Sequence, residues 1–462
     1  MARDPEAVPT TKAVRATQAT TALAPSTVRF FGTLATNLAR SPEDAHEVLL
    51  RRHEEIADHA LEALGQLRGG AMKLGQLASF VDVDFLPAEY RAVYQSKLAN
   101  LRDAAPPMSF AKVRRVLERE WEEPVESLFA EFEPEALAAA SIGQVHRAVL
   151  GDGRTVAVKV QYPEIADALA ADLGLATIGI RLAKAIAPGL DPELVAGELR
   201  ERVMEELDYE LEAQHQRAFA RAYRGHPFIY VPEVVTSLSR RRVMVSEWVD
   251  GVSFDDTLAL PPAERDRIGE ILHRFFLGSM HRMGRFNTDP HPGNYRVRED
   301  GVVAFFDFGN TKVVEPSWLA KTRRMLEAIL EGETERYLEE ALGLGYLRRT
   351  DRVDAEWLLA QTLATEEWWL RDQALTIDPD YVARVLALLM EVSPQAVRFL
   401  REVKLPPEEI WWRRVLVGVF AVLGQLRATA NWHRIMREYV FDEEPATELG
   451  RQDAEFWRSR RA

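Results

Sequence analysis

Residues 288–294 read TDPHPGN, and this run holds Asp289 and Asn294 five positions apart. That spacing lets one loop present a carboxylate that positions a phosphoryl acceptor together with an amide that binds Mg²⁺. The two prolines and the glycine stiffen such a loop and favour a fixed geometry. Taken alone, the run is equally typical of a turn-rich loop whose Asp and Asn side chains bond to the local backbone.

Two further motifs supply the remaining parts of a nucleotide site. The strand-like run VAVK ends at Lys159, where a lysine can reach the α- and β-phosphates of a nucleotide. The tripeptide DFG begins at Asp307 after an apolar strand, and an aspartate at such an exit is well placed to bind Mg²⁺. A surface lysine and an ordinary strand exit are the plain alternatives. The ordered set of three motifs is far more specific than any one of them, and it predicts a kinase-like ATP site.

Periodicity along the chain predicts three regions after a disordered tail at 1–26. Residues 27–120 have helical spacing and form an N-terminal helical extension. Residues 121–250 contain short β-branched strands and form a small strand-rich N-lobe, whereas 251–462 form a large helical C-lobe. The predicted fold class is therefore α+β, a protein-kinase-like fold of two lobes preceded by the extension.

Local signals refine this outline. Residues 151–160 predict a strand entered through a tight turn, Ser109 is a predicted helix N-cap, and 262–284 are predicted to form one helix. The longest apolar run covers residues 415–424 and is too short to cross a bilayer, which needs about 20 residues. We therefore predict a buried core helix at this run and no transmembrane helix.

Composition narrows the classes of partner. The chain has 462 residues, of which 58 are basic and 72 acidic, and its formal charge of −14 argues against nucleic acid as a partner. Short basic runs at 240–242 and at Arg413-Arg414 are predicted to be solvated faces. The absence of cysteine excludes disulfides, thiolate metal sites and cysteine nucleophiles. No signal peptide is predicted, so we expect a cytoplasmic protein, with peripheral contact with a membrane left open.

Four motifs occur in order between residues 60 and 320. They are KLGQ at 73–76, AAASIGQVH at 138–146, ELD at 206–208 and TDPHPGN at 288–294. These match the KxGQ motif, the alanine-rich nucleotide loop, the ExD motif and the catalytic loop of the UbiB/AarF group of atypical kinases. The span therefore resembles that family, which includes the ADCK proteins of mitochondria.

The resemblance implies ATP and Mg²⁺ as cofactors and a role for each motif. Asp289 would position the acceptor, Glu212 would hold Lys159 against the phosphates, and Asn294 and Asp307 would bind the metal. Nucleotide contacts would come from Ala138, Ala139, Ala140, Ser141, Gly143, Lys159 and the backbone of Glu247 and Val249.

Two acidic residues of the ExD motif, Glu206 and Asp208, would face Lys73 and Gln76 across the cleft. A solvated acidic helix face is the plain alternative for these carboxylates. Asn287 stands where the resembled family often has histidine, and it is predicted to pack the loop.

The nucleotide loop keeps only Gly143 where a glycine-rich loop approaches phosphates closely. Its methyl groups should shift the pose of the nucleotide, and Lys73 would occupy the space of a peptide. Both points favour ATP hydrolysis, or a lipid or other small molecule as acceptor or activator, over protein phosphorylation. The resemblance also implies a role in isoprenoid quinone synthesis or lipid homeostasis.

Two other functions stay open at the level of sequence. A small-molecule phosphotransferase of the aminoglycoside or choline type shares the Asp-x4-Asn and Asp-x-Gly pattern, although KLGQ and the alanine-rich loop argue against it. A non-catalytic binding module could use the nucleotide as a conformational switch.

Overall fold

The computed structural model describes residues 108–140, 142–163, 165–166, 197, 200–201, 204–347, 352–390, 393–403 and 406–461. The chain divides into two compact units, Met1–Arg181 and Leu182–Ala462. The predicted tail, most of the predicted extension, and Lys73 and Gln76 lie outside the described residues. The domain boundaries placed near 26, 120 and 250 stay predictions.

Within its described residues, the first unit carries a small antiparallel sheet and two helices. Its elements are α1 (Phe110–Trp121), α2 (Val125–Leu128), β1 (Phe129–Phe132), β2 (Ala138–Ala140), β3 (Gly143–Leu150) and β4 (Thr155–Gln161). Strand β3 pairs with β1, β2 and β4, each time antiparallel. Alternation along β4 buries Val156, Val158 and Val160 completely and leaves Lys159 half-buried on the other face.

Two local predictions fall in this unit. The tight turn into β4 is confirmed, and the N-cap at Ser109 is confirmed in position but not in its side-chain bond. The turn before β4 contains Gly153 at φ +85°, a left-handed conformation that glycine adopts without strain, and its N–H donates to the Leu150 carbonyl at 2.9 Å. Ser109 stands at the N-cap of α1, but its side chain makes no capping bond. Its backbone carbonyl instead accepts from the N–H groups of Lys112 and Val113.

In the described part of its first half, the second unit combines helices with two small sheets. Its elements are α3 (Tyr209–Tyr223), β5 (Ile229–Tyr230), β6 (Val243–Glu247), α4 (Phe254–Thr257), α5 (Pro262–Phe276), α6 (Gly278–Met283), β7 (Arg285–Asn287), a 3₁₀ turn (Pro292–Asn294), β8 (Tyr295–Val297), β9 (Val303–Phe305) and β10 (Thr311–Val313). Strand β9 lies between β5, to which it is parallel, and β8, to which it is antiparallel. Strands β7 and β10 form an antiparallel pair.

The single helix predicted over 262–284 is wrong, because two helices, α5 and α6, meet at Leu277. The hydroxyl of Ser279 donates to the carbonyl of Phe275, four residues earlier, and so competes with the helix backbone for that acceptor. Gly278 also lies against the ring of Tyr439, which a Cβ atom would approach to 3.1 Å. Neither this local hydroxyl bond nor the contact with the distant Tyr439 is visible in the helical periodicity.

The second half of this unit is mainly helical. Its elements are α7 (Pro316–Leu330), α8 (Thr334–Gly343), α9 (Ala355–Thr365), α10 (Glu367–Leu370), β11 (Leu375–Thr376), α11 (Pro379–Met390), α12 (Pro394–Glu402), α13 (Pro407–Leu426), β12 (Thr429–Ala430), α14 (Trp432–Val440) and α15 (Glu448–Arg461). The apolar run 415–424 lies within α13, and the buried core helix predicted there is confirmed, with Val415 and Leu423 fully buried. No helix among the described residues combines the length and apolar character that crossing a membrane requires.

Candidate nucleotide and catalytic site

The loop TDPHPGN is held by bonds within itself. The Nδ1 atom of His291 accepts from the Gly293 N–H at 3.0 Å, and the Asn294 N–H donates to the His291 carbonyl at 2.9 Å. The Asn294 amide nitrogen Nδ2 donates to Oδ2 of Asp289 at 2.9 Å. The two residues that the spacing singles out therefore meet side chain to side chain, while the 3₁₀ turn fixes the distance between them.

Asn287 ties this loop to the Asp-Phe-Gly segment. Its Oδ1 atom accepts from the Asp289 N–H at 2.8 Å, and its Nδ2 donates to the Asp307 carbonyl at 2.5 Å. Asn287 is only 2% exposed. Thr288 adds a second tie, because its N–H and hydroxyl both donate to the Asn310 carbonyl. The sequence analysis predicted only a packing role for Asn287. Its position two residues before Asp289 was the feature that could have indicated its role in orienting the loop.

Asp307 lies beside Asn294 because the two segments pair. The Phe306 N–H donates to the Asn294 carbonyl at 3.1 Å, and Oδ1 of Asp307 accepts from the Gly309 N–H at 3.2 Å. Phe308 is fully buried and packs on Phe219 of α3 with ring centroids 4.8 Å apart. Burial of this ring fixes the segment against the helix that carries Glu212.

Helix α3 brings Glu212 to the same place. The helix begins after Asp208, whose carboxylate accepts from the N–H groups of Glu210 and Leu211 and caps its N-terminus. Glu212 is 3% exposed, so it does not belong to a solvated acidic face. A methyl group on Gly309 would lie 3.6 Å from both Oε2 of Glu212 and Oδ1 of Asp307. The carboxylates of Glu212 and Asp307 therefore both lie next to Gly309.

Other members of the predicted site lie in the first unit. Strand β2 and the start of β3 form a hairpin in which Ala140 pairs with Gly143. Val145 pairs with Ala138 on one side and with Lys159 on the other, so the alanine-rich segment and the lysine share one sheet. Ser141 lies outside the described residues. The approach of Lys159 to Glu212, and of the hairpin to a nucleotide, stays a prediction.

The remaining predicted site residues have identifiable local partners. Glu247 ends β6, and its Oε2 accepts from the Tyr230 hydroxyl at 2.6 Å and from the Glu233 N–H at 2.9 Å. These bonds hold the segment that leads to Val249, whose backbone role toward adenine stays a prediction. Glu206 is 9% exposed, and its proposed partners in the KxGQ motif lie outside the described residues.

The donor atoms at the centre of the site fit Mg²⁺. Because Nδ2 of Asn294 is bonded to Asp289, the amide oxygen is the atom that a cation would contact. The carboxylate of Asp307 supplies a second hard oxygen ligand, the type that Mg²⁺ prefers. The described residues contain no group of three or more His, Asp and Glu side chains arranged to hold a metal. A site of few protein ligands is usual for Mg²⁺ bound together with substrate phosphates.

The predicted solvated face at Arg413-Arg414 is wrong for Arg414, whereas Arg413 is exposed as predicted. The Arg414 side chain is 14% exposed, and its Nη2 lies 3.8 Å from Oδ1 of Asp289. Arg413 keeps 45% of its side chain exposed, with Nε 2.6 Å from the carboxylate of Glu409, a residue that is only 1% exposed. Burial raises the pKa of Glu409, while Arg413 and the hydroxyl of Tyr346 favour its charged form. A short basic run does not reveal which way its side chains point.

Comparison with known proteins identifies the family. The family model of the ABC1 atypical kinase-like domain matches residues 100–341. The chain belongs to this ABC1 family. The resemblance to UbiB/AarF and ADCK proteins is thereby confirmed, and so is the kinase-like α+β fold class.

Several ABC1 relatives share much of this chain. The mitochondrial atypical kinase coq-8 of Caenorhabditis elegans is 26% identical over 409 residues, which cover 85% of this chain and 52% of that protein. The chloroplastic ACTIVITY OF BC1 COMPLEX KINASE 1 of Arabidopsis thaliana is 32% identical over 325 residues, 67% of this chain and 46% of that protein. The chain thus spans about half the length of the curated relatives it matches.

A solved structure extends the comparison. The Mycobacterium tuberculosis protein Rv3197, solved in complex with erythromycin, matches with a TM-score of 0.62 and 32% identity. The match covers 86% of this chain and 100% of that one. The shared fold therefore reaches well beyond residues 100–341.

Proposed function

We propose that this protein is an ATP- and Mg²⁺-dependent atypical kinase or ATPase whose acceptor or activator is a lipid or another small molecule. One observation carries the proposal: three separate segments of the chain, which carry Glu212, the pair Asp289 and Asn294, and Asp307, converge around Asn287 and Gly309. Phosphoryl transfer from ATP requires carboxylate and amide side chains held in fixed positions. The stiff loop supplies Asp289 and Asn294, and the Asp-Phe-Gly segment, whose phenylalanine is buried, supplies Asp307.

Each polar group has one task in this proposal. Asn294 and Asp307 would hold Mg²⁺, which neutralises charge on the phosphates when bound. Asp289 accepts the proton of the acceptor hydroxyl while that oxygen bonds to the γ-phosphorus and ADP leaves; water as acceptor gives hydrolysis. Lys159 would contact the phosphates and Glu212 would orient it, an assignment that rests on the resemblance to the ABC1 family.

The acceptor is proposed from the family and from the alanine-rich hairpin. The relative in Caenorhabditis elegans is a mitochondrial atypical kinase and the one in Arabidopsis thaliana is chloroplastic. Together with the family resemblance they support a role in isoprenoid quinone synthesis or lipid homeostasis, with peripheral contact with a membrane. The match to Rv3197, solved with erythromycin, supports a macrolide as a second class of small ligand.

The metal assignment is tested with Asp307→Asn. We expect Mg²⁺-dependent ATP affinity to fall at least about tenfold and turnover about a hundredfold, because the variant loses a charged oxygen ligand. ATP binding is measured by calorimetry with Mg²⁺ and with EDTA, and turnover by phosphate release. Asp380→Asn, an exposed residue in the first turn of α11, is the matched control and should retain wild-type values. Unchanged Mg²⁺-dependent binding in Asp307→Asn contradicts the assignment.

The acceptor is tested by giving the wild type one candidate at a time. The panel contains phenols resembling quinone precursors, anionic liposomes, a soluble amino alcohol and erythromycin, each with ATP and Mg²⁺. Stimulated hydrolysis or a phosphorylated phenol or lipid supports the proposal. Rapid stoichiometric phosphorylation of the amino alcohol supports the phosphotransferase alternative, and nucleotide binding without any turnover supports the binding module.

A further inference from the structure

The catalytic carboxylate is approached from two sides. Oδ2 of Asp289 accepts from the Asn294 amide at 2.9 Å, whereas Oδ1 faces the guanidinium of Arg414, with Nη2 3.8 Å away. The Asp289 and Arg414 side chains are 25% and 14% exposed, so the pair is partly shielded from solvent. The separation is longer than a hydrogen bond, which leaves Oδ1 accessible to an acceptor hydroxyl.

Helix α13 is fixed against the loop on both sides of this contact. One turn after Arg414, Gly418 lies so close to Pro290 that a Cβ atom would come within 2.4 Å of the proline Cγ. Before Arg414, Trp412 is 3% exposed and packs edge-on against Phe286, with ring centroids 6.2 Å apart. The helix therefore cannot shift relative to the loop without losing packing on at least one side.

A neighbouring aromatic ring also restrains the guanidinium. Its carbon lies 6.0 Å from the ring centroid of Trp411, within the range of a cation–π contact. Trp411 is three residues before Arg414 and therefore on the same face of α13. The Arg414 guanidinium is therefore in contact with both the Trp411 ring and the Asp289 carboxylate.

We propose that Arg414 is a positioning residue that holds the Asp289 carboxylate in the orientation that accepts the proton of the phosphoryl acceptor. This inference rests on the proposed function. Helix α13 lies outside residues 100–341, which the ABC1 family model matches, so the family motifs do not supply this residue. Catalytic groups depend strongly on orientation, because small misplacements of a reacting group cost large factors in rate.

The test compares Arg414→Met, which keeps the length without the charge, with Arg414→Lys. We expect Arg414→Met to lower kcat about tenfold to a hundredfold while the KM for ATP stays within about threefold, because nucleotide binding does not use Asp289. Arg414→Lys should recover part of the rate, and millimolar guanidinium should partly rescue Arg414→Ala. Arg324→Met, which removes an exposed arginine paired with Glu340, is the control and should keep the wild-type kcat.

A double mutant separates positioning from general destabilisation. If Arg414 acts through Asp289, adding Arg414→Met to Asp289→Asn should cause no further loss of kcat. A multiplicative loss in the double mutant overturns the inference, and so does a wild-type kcat in Arg414→Met when Asp289→Asn is inactive. Loss of both kcat and ATP affinity without guanidinium rescue overturns it in favour of a structural role. A wild type without turnover overturns the proposed function and this inference with it.

Discussion

The surroundings of a buried side chain can determine its charge state, and His273 is one example. His273 of α5 is fully buried, and neither ring nitrogen has a hydrogen-bond partner within the described part of the chain. Its ring centroid lies 5.3 Å from that of Trp432 and 6.2 Å from that of Tyr439. Burial, reinforced by the charge of Arg274, lowers the pKa of His273 to about 3. The folded protein therefore holds this imidazole neutral throughout the physiological range.

This residue makes stability depend on pH in a definite direction. The unfolded chain protonates His273 below its ordinary pKa of 6.5, whereas the folded chain does so only near 3. The unfolded state binds more protons in this window, so His273 destabilises the fold by about 1.4 kcal/mol for each pH unit below 6.5. His273→Leu should make the fall in the free energy of unfolding between pH 7.5 and 5.5 smaller by that amount, as determined from the urea midpoints at the two pH values. An unchanged difference between the two midpoints contradicts the predicted burial of a neutral ring.

Secondary-structure elements show what a linear pattern contains and what it omits. Proline marks the start of three helices, because α11, α12 and α13 begin at Pro379, Pro394 and Pro407. Proline suits the first helical position because its missing N–H would have no partner there. The break between α5 and α6 is not visible in the periodicity, and at this point Gly278 lies against Tyr439 of α14, a residue distant in sequence.

Close packing of α13 on the loop TDPHPGN gives a prediction for Gly418. In Gly418→Ala the new methyl group would lie 2.4 Å from Pro290 Cγ, part of a rigid ring, so helix or loop must move. We expect a loss of about 1–3 kcal/mol in the free energy of unfolding, as for overpacked cores. ATP turnover should fall too, because Asp289 precedes Pro290.

Gly343, the last residue of α8, is the matched control for this change. It is exposed, and no heavy atom lies within 4 Å of the position its Cβ would take. Gly343→Ala should leave turnover unchanged and stabilise the fold by up to about 1 kcal/mol, since alanine is the better helix former. Thermal unfolding and phosphate release measure both effects. Equal behaviour of the two variants contradicts the packing argument.

Across the whole molecule, the sequence predicted the motifs of the site better than the groups that support them. Asp289, Asn294 and Asp307 were identifiable because their spacing follows from the chemistry of phosphoryl transfer. Arg414 was not, since its partner is distant in sequence and a charge run gives no direction. The arrangement of Lys159 with these groups stays a prediction for the same reason: it depends on how separate segments pack.

A buried ionic cluster joins distant parts of the second unit. The Arg274 guanidinium, 1% exposed, lies 2.8 Å from Glu270 on α5 and 2.7 Å from Glu438 on α14. Arg274 also donates to the Thr447 hydroxyl, which in turn donates to Glu270. Residues 274 and 438 are 164 positions apart, so the cluster forms only when the unit is folded as a whole.

Removing one charge from this cluster should destabilise the protein far more than removing one from the surface. Glu438→Gln leaves Arg274 buried with incomplete compensation, and we expect a loss of about 3 kcal/mol in the free energy of unfolding. Glu448→Gln breaks the pair between Glu448 and Arg451, whose side chains are 67% and 58% exposed, and should leave the urea midpoint almost unchanged. The difference in stability between the two variants is measured by urea unfolding at one pH, with circular dichroism as the signal. Similar midpoints would mean that the cluster is solvated in solution, because only exclusion of water makes an unpaired charge so costly.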